Sequence, residues 1–191
     1  MKKVLSFFVA AALMVACGTT TKPLTISGDL SALEERPATV TITTQDDSFE
    51  VAVDENGQFT AAVNTVDGDV IQVSTADNAV RSFCYADGND VHFVYEEETL
   101  KPIGSALTDK WFEYAESISA MIGEMYQAQS EEEAEAKYQA VLQNMSDFMY
   151  ANLDNPLSLR LLSTYVGYGG DEAVATDVFN KIDTRFENLK A

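Results

Sequence analysis

The sequence predicts an α+β protein, with an N-terminal antiparallel β-sandwich or partly open barrel followed by a C-terminal four-helix region. Three observations carry that expectation. From Leu24 to about Tyr95 the apolar residues alternate with polar ones, and turn residues interrupt them roughly every 8 to 12 positions. After Pro102 the apolar spacing changes to the helical period of about 3.6 residues. Apolar residues make up 46% of the 191, enough to build a core despite a net charge of −19.

Seven strands follow from the alternation: Leu24 to Leu30, Ala38 to Thr44, Ser48 to Val53, Gln58 to Val63, Val70 to Ser74, Ala79 to Tyr85 and Val91 to Glu96. The turns between them are Asp54-Glu55-Asn56-Gly57, Asp67-Gly68, Ala76-Asp77-Asn78 and Asp87-Gly88-Asn89-Asp90. For the third and fourth strands, a three-residue loop from Glu55 to Gly57 pairs Val53 with Phe59, Val51 with Ala61 and Phe49 with Val63. This register collects apolar residues on one face, and it requires a left-handed Gly57. The run from Glu96-Glu97-Glu98 to Gly104 reads as the boundary between a β domain (24–103) and a helical domain (104–191).

In the second half, Leu107, Trp111, Tyr114, Ala115, Ile118, Met121, Ile122 and Met125 form one stripe of a helix from Ser105 to about Gln129. Ser130-Glu131-Glu132-Glu133 is a capping box for a second helix, whose stripe is Ala134, Tyr138, Val141, Leu142, Met145, Phe148 and Met149. Asn155-Pro156 opens a third helix, with Asn155 as cap and the proline in the first turn, and Gly169-Gly170 stops it. Asp171 caps a fourth, with Val174, Val178, Ile182 and Leu189 on its apolar side. Such helices pack as a bundle or as two hairpins.

The first residues carry an address. Lys2 and Lys3, the apolar run Val4 to Val15 and small Ala16 form a secretory signal peptide over residues 1–16. The run is too short to span a hydrocarbon layer about 30 Å thick. Leu13-Met14-Val15-Ala16-Cys17 resembles a bacterial lipobox, in which the Cys17 thiol is acylated and the chain is cut before it; Met14 departs from the usual leucine. The alternative is a signal peptide without lipidation, in which Cys17 is incidental. Residues 17–23 then form a lipidated tether, and acyl chains on Cys17 bind the membrane at about 0.8 kcal/mol per buried methylene. The tether lacks the acidic run that marks surface-exposed lipoproteins in Bacteroidetes-like envelopes. By that resemblance the expected location is the cell envelope, on the outer membrane facing the periplasm.

Composition excludes nucleic acid as a partner, because 12 Lys and Arg against 31 Asp and Glu cannot neutralise a phosphate track. His92 is the only histidine, and on a strand face with Val94 it reads as exposed or hydrogen-bonded rather than as a catalytic base. With Cys17 acylated, Cys84 stands alone and reads as a small buried apolar residue, or alternatively as a thiol forming mixed disulfides. The Asp54 to Gly57 and Asp87 to Asp90 clusters look like fragments of calcium loops, but they lack the alternating ligands and closing glutamate and read as turns. Trp111 reads as core rather than as a sugar-stacking platform. No catalytic residue, metal site or cofactor is expected.

The motifs together resemble a known arrangement. Leu24-Thr25-Ile26-Ser27-Gly28, Asn56-Gly57-Gln58-Phe59, Asp87-Gly88-Asn89-Asp90-Val91, Gly104-Ser105-Ala106-Leu107-Thr108-Asp109 and the Asn155-Pro156 helix entry are similar to the domain of unknown function and helical spacer that precede the thioredoxin domain of thioredoxin-like lipoproteins in Bacteroidetes. The resemblance covers nearly all of residues 17–191. The Cys-x-x-Cys of those proteins has no counterpart here, so their oxidoreductase activity does not carry over. The resemblance implies a non-enzymatic, membrane-anchored accessory module for a protein partner, such as a redox protein. The alternative is a carrier of a small lipid or glycan in an apolar cavity.

Overall fold

The computed structural model describes residues 22–186. Eight strands come first: β1 (Lys22–Asp29), β2 (Thr39–Thr43), β3 (Ser48–Ala52), β4 (Gln58–Thr65), β5 (Val70–Thr75), β6 (Arg81–Tyr85), β7 (Val91–Glu96) and β8 (Thr99–Ile103). Four helices follow: α1 (Ala106–Tyr126), α2 (Glu131–Tyr150), α3 (Leu157–Gly167) and α4 (Glu172–Lys181). The strands form two four-stranded sheets, ordered β4-β1-β7-β8 and β3-β2-β5-β6, and the sheets do not close into a barrel. The fold is the α+β sandwich with helices that the change of period predicts.

The alternation turns one face of each strand inward. Leu24, Ile26, Val91 and Phe93 of the first sheet meet Val40, Ile42, Ile71 and Val73 of the second in one buried core. Burying each such side chain contributes about 1.5–3 kcal/mol. Thr25 and His92 lie on the outer face of the first sheet and remain exposed.

Three features differ from the expectation. The β3-β4 hairpin does not form: Val51 pairs with Val40 and Phe49 with Ile42, while Phe59 pairs with Gly28 and Val63 with Leu24. Gly57 is left-handed as expected, at φ +85°, but the turn carries the chain from one sheet to the other. Asp54 holds this corner, its Oδ1 accepting from the backbone N–H groups of Asn56 and Gln58 at 2.8 Å each. Next, β1 runs parallel to β7, with Ile26 opposite Val91, so the sheet is mixed. Finally, Glu97 and Glu98, both with positive φ, form a tight turn into the eighth strand, in which Pro102 faces Phe93 on the sheet's edge. An edge strand accommodates a residue that has no N–H to donate.

A second core lies among the helices, with Ile118, Val141, Met145, Leu161 and Val178 buried in it. Consecutive helices pack on one another, and α2 also touches α4. The whole expected stripe of α1 is buried or half-buried. Ser130 Oγ accepts from Glu133 N at 3.1 Å, and the Glu133 carboxylate reaches back to Gln129 N at 2.9 Å, one residue beyond the usual capping-box partner. The cap position of α3 falls on Pro156, and the side-chain oxygen of Asn155 accepts from Leu157 N at 3.1 Å. Asp171 caps α4 through Ala173 N at 2.8 Å. Leu189 lies outside the described residues.

Candidate functional site

Cys17, the lipidation site expected from the sequence, lies outside the described residues, as do the signal peptide and most of the tether. Cys84 is buried in the sandwich, and burial pushes its thiol up to about 12, so it packs as a small apolar side chain. His92 is exposed on β7, with Nδ1 at 2.9 Å from Ser27 Oγ. Asp54, Asp87 and Asp90, three of the four acids of the two calcium-like clusters, accept from backbone N–H groups. Asp54 holds the corner between the sheets, and Asp87 accepts from Asn89 N at 3.2 Å and Leu107 N at 3.3 Å. Among the described residues no group of three or more His, Cys, Asp or Glu is arranged to hold a metal ion. The structure brings none of these expected candidates together.

What it does bring together is the end of β6 and the start of the helices. Ser105 Oγ donates to Tyr85 O at 2.9 Å and accepts from Thr108 N at 3.1 Å. Thr108 Oγ1 accepts from Tyr85 N at 2.8 Å and donates to Ser105 Oγ at 2.7 Å. The N-cap of α1 thereby satisfies the backbone of a buried strand residue. Above this closed loop of hydrogen bonds the aromatic rings run on: Tyr85 meets Trp111 edge-on at 6.2 Å, Trp111 leans on Tyr114 at 6.2 Å, and Tyr114 stacks on Phe148 of α2 at 3.7 Å. Half-buried Trp111 is therefore packed between the two halves, as its place on the stripe suggests.

Beside this junction, between the second sheet and α3, is a cleft of about 420 Å³. Val70, Pro156 and Leu159 give it apolar walls, and Gln72, Tyr85 and Arg160 its polar ones. The Arg160 guanidinium lies 6.0 Å from the centre of the Trp111 ring and, among the described residues, forms no ion pair. The Tyr85 hydroxyl is buried beside Arg160 without a hydrogen bond of full geometry among the described residues, and burial pushes its pKa up to about 12 against the opposing charge and weak hydrogen bonding of Arg160. No family model, curated protein or solved structure matches this chain. The cleft's chemistry is therefore read from its residues alone.

Two other clefts are larger but differently charged. One of about 920 Å³ is rimmed by Glu34, Glu35, Asp77 and Glu96 to Glu98 with Arg36, and one of about 500 Å³ lies between β6 and β8 with Arg81, Glu98 and Lys101. Sequence reasoning passed over Tyr85 and Arg160. The signal present was one cation, Arg160, in the otherwise uncharged helix LSLRLLSTYVG.

Proposed function

We propose that the chain is a lipid-anchored envelope protein that acts by binding rather than by catalysis, an accessory module for a protein partner, with a redox protein as the first partner to test. The observation that carries this reading is the junction: the loop of hydrogen bonds among Tyr85, Ser105 and Thr108 and the aromatic run above it join sandwich and helices into one platform. The signal peptide, the lipobox-like end at Cys17 and the resemblance to accessory domains of thioredoxin-like lipoproteins support the same reading. In it, acyl chains on Cys17 hold the protein on the outer membrane, facing the periplasm.

Native mass spectrometry of the protein extracted from its own envelope in mild detergent tests it. An acylated chain beginning at Cys17 with a second protein attached is the expected result. Absence of any attached protein, repeated after crosslinking, overturns the module reading. Retention of a Cys17→Ser variant in the membrane fraction overturns the anchor, and protease removal from intact cells overturns the inward orientation.

The cleft favours a second reading, a small-ligand carrier. An attached mass of small-molecule size in the same spectrum selects it.

A further inference from the structure

We propose that the cleft between the second sheet and α3 binds a small monocarboxylate with an apolar body, Arg160 holding the carboxylate and Val70, Pro156 and Leu159 enclosing the rest. This inference rests on the small-ligand reading and gives it a chemical class.

Charge is the first argument. The chain carries 31 acidic residues, yet among the described residues none lines this cleft, and the one charged wall residue there is Arg160. The other two clefts both carry carboxylates at their rims. Among the described residues Arg160 forms no ion pair, so its charge is available to an anion. Its Cζ lies 6.0 Å from the centre of the Trp111 ring, and a guanidinium offers the paired N–H groups from which a carboxylate accepts two parallel hydrogen bonds.

Unused hydrogen-bonding capacity is the second argument. The Tyr85 hydroxyl, in a residue only 1% exposed, makes no hydrogen bond of full geometry among the described residues, and its polar neighbour is the Arg160 guanidinium itself. The side-chain amide of half-buried Gln72 likewise makes no hydrogen bond among the described residues. One cation with neutral donors beside it balances a single negative charge. A phosphate dianion would leave charge unbalanced in a molecule of net −19. The volume, about 420 Å³, falls in the range of small-molecule sites.

Trp111 is the only tryptophan and touches the proposed anion holder, so its fluorescence reports on occupancy. The test uses the anchored chain in lipid nanodiscs, titrated with 4-phenylbutyrate, with its neutral amide 4-phenylbutyramide and with inorganic phosphate. The expected result is a saturable change in Trp111 emission, with the acid binding about tenfold more tightly than the amide and phosphate giving no change. In Arg160→Gln, at an exposed position whose loss leaves both cores intact, acid and amide should bind alike. Equal binding of acid and amide to the unaltered protein overturns the anion site while leaving an apolar carrier standing. Binding of neither overturns both, and leaves the protein-partner module unaffected. A phosphate response equal to that of the acid overturns the monocarboxylate assignment.

Discussion

Gly28 lies beneath the ring of its cross-strand partner Phe59. A Cβ there would stand 2.3 Å from Phe59 Cε1 and 2.9 Å from the carbonyl oxygen of Phe93, and Phe59 is itself only 4% exposed. Neither neighbour can move far, so Gly28→Ala should destabilise the protein by about 1–3 kcal/mol, read as a lowered midpoint of urea unfolding. Asp69 makes a different prediction. Its carboxylate is buried, one oxygen accepting from Val66 N at 3.1 Å and the other without a partner, and desolvation raises its pKa above the usual 3.8. A raised acid holds its proton longer in the folded state, so its contribution to stability is complete below pH 3.8 and is lost as pH rises through the folded value. Compared with Asp69→Asn, the native chain should therefore lose stability as the pH of urea unfolding is raised from 3.8, and a constant difference would refute the assignment. At this scale the sequence was informative where one side chain decides its own surroundings. Alternation along a strand places Cys84 inside and His92 outside, as the structure has them. It was silent on Asp69, because burial of a turn residue depends on what the rest of the chain lays over it.

Between β6 and α1 a single hydroxyl serves both elements. Thr108→Val keeps the shape but removes the acceptor for Tyr85 N and one donor to Ser105, leaving a buried backbone N–H unpaired. A loss of about 1–3 kcal/mol is expected in denaturant unfolding, together with a changed Trp111 emission, since the aromatic run rests on this contact. An unchanged midpoint would mean that the junction contributes no stability. The helices were legible because stripes and caps are local: Ser130 and Asp171 accept the N-terminal N–H groups that their positions imply, while Ser105, read as the first residue of its helix, is its cap. Strand pairing was legible only in part. Asp-Glu-Asn-Gly has the composition of a hairpin turn, and nothing within those four residues distinguishes a turn that keeps its strands paired from one that moves the chain to the other sheet. The eighth strand was hidden by Glu97, Glu98 and Pro102, residues that disfavour strands generally but fit a tight turn and an edge.

At the scale of the whole molecule, the net charge of −19 makes the compact state repel itself. Its melting temperature should rise as sodium chloride increases from about 0.02 M to about 0.5 M, a range in which the screening length falls well below the size of the protein. A flat response would mean that the pairing of acids with backbone N–H groups and lysines already offsets the repulsion. The candidate cleft was the least legible feature for a related reason. Tyr85 and Arg160 stand far apart in sequence and become neighbours only once two separate cores are joined at one junction, a relation no local pattern encodes. The same non-locality governs synthesis. β1 is flanked by β4 and β7, and its parallel partner begins at Val91, so the first described strand to be made waits for most of the sandwich to follow it. A chain halted before Val91 leaves one whole flank of β1 with unpaired N–H and C=O groups, a template for aggregation. A chain kept unfolded until all of it has been delivered avoids that hazard.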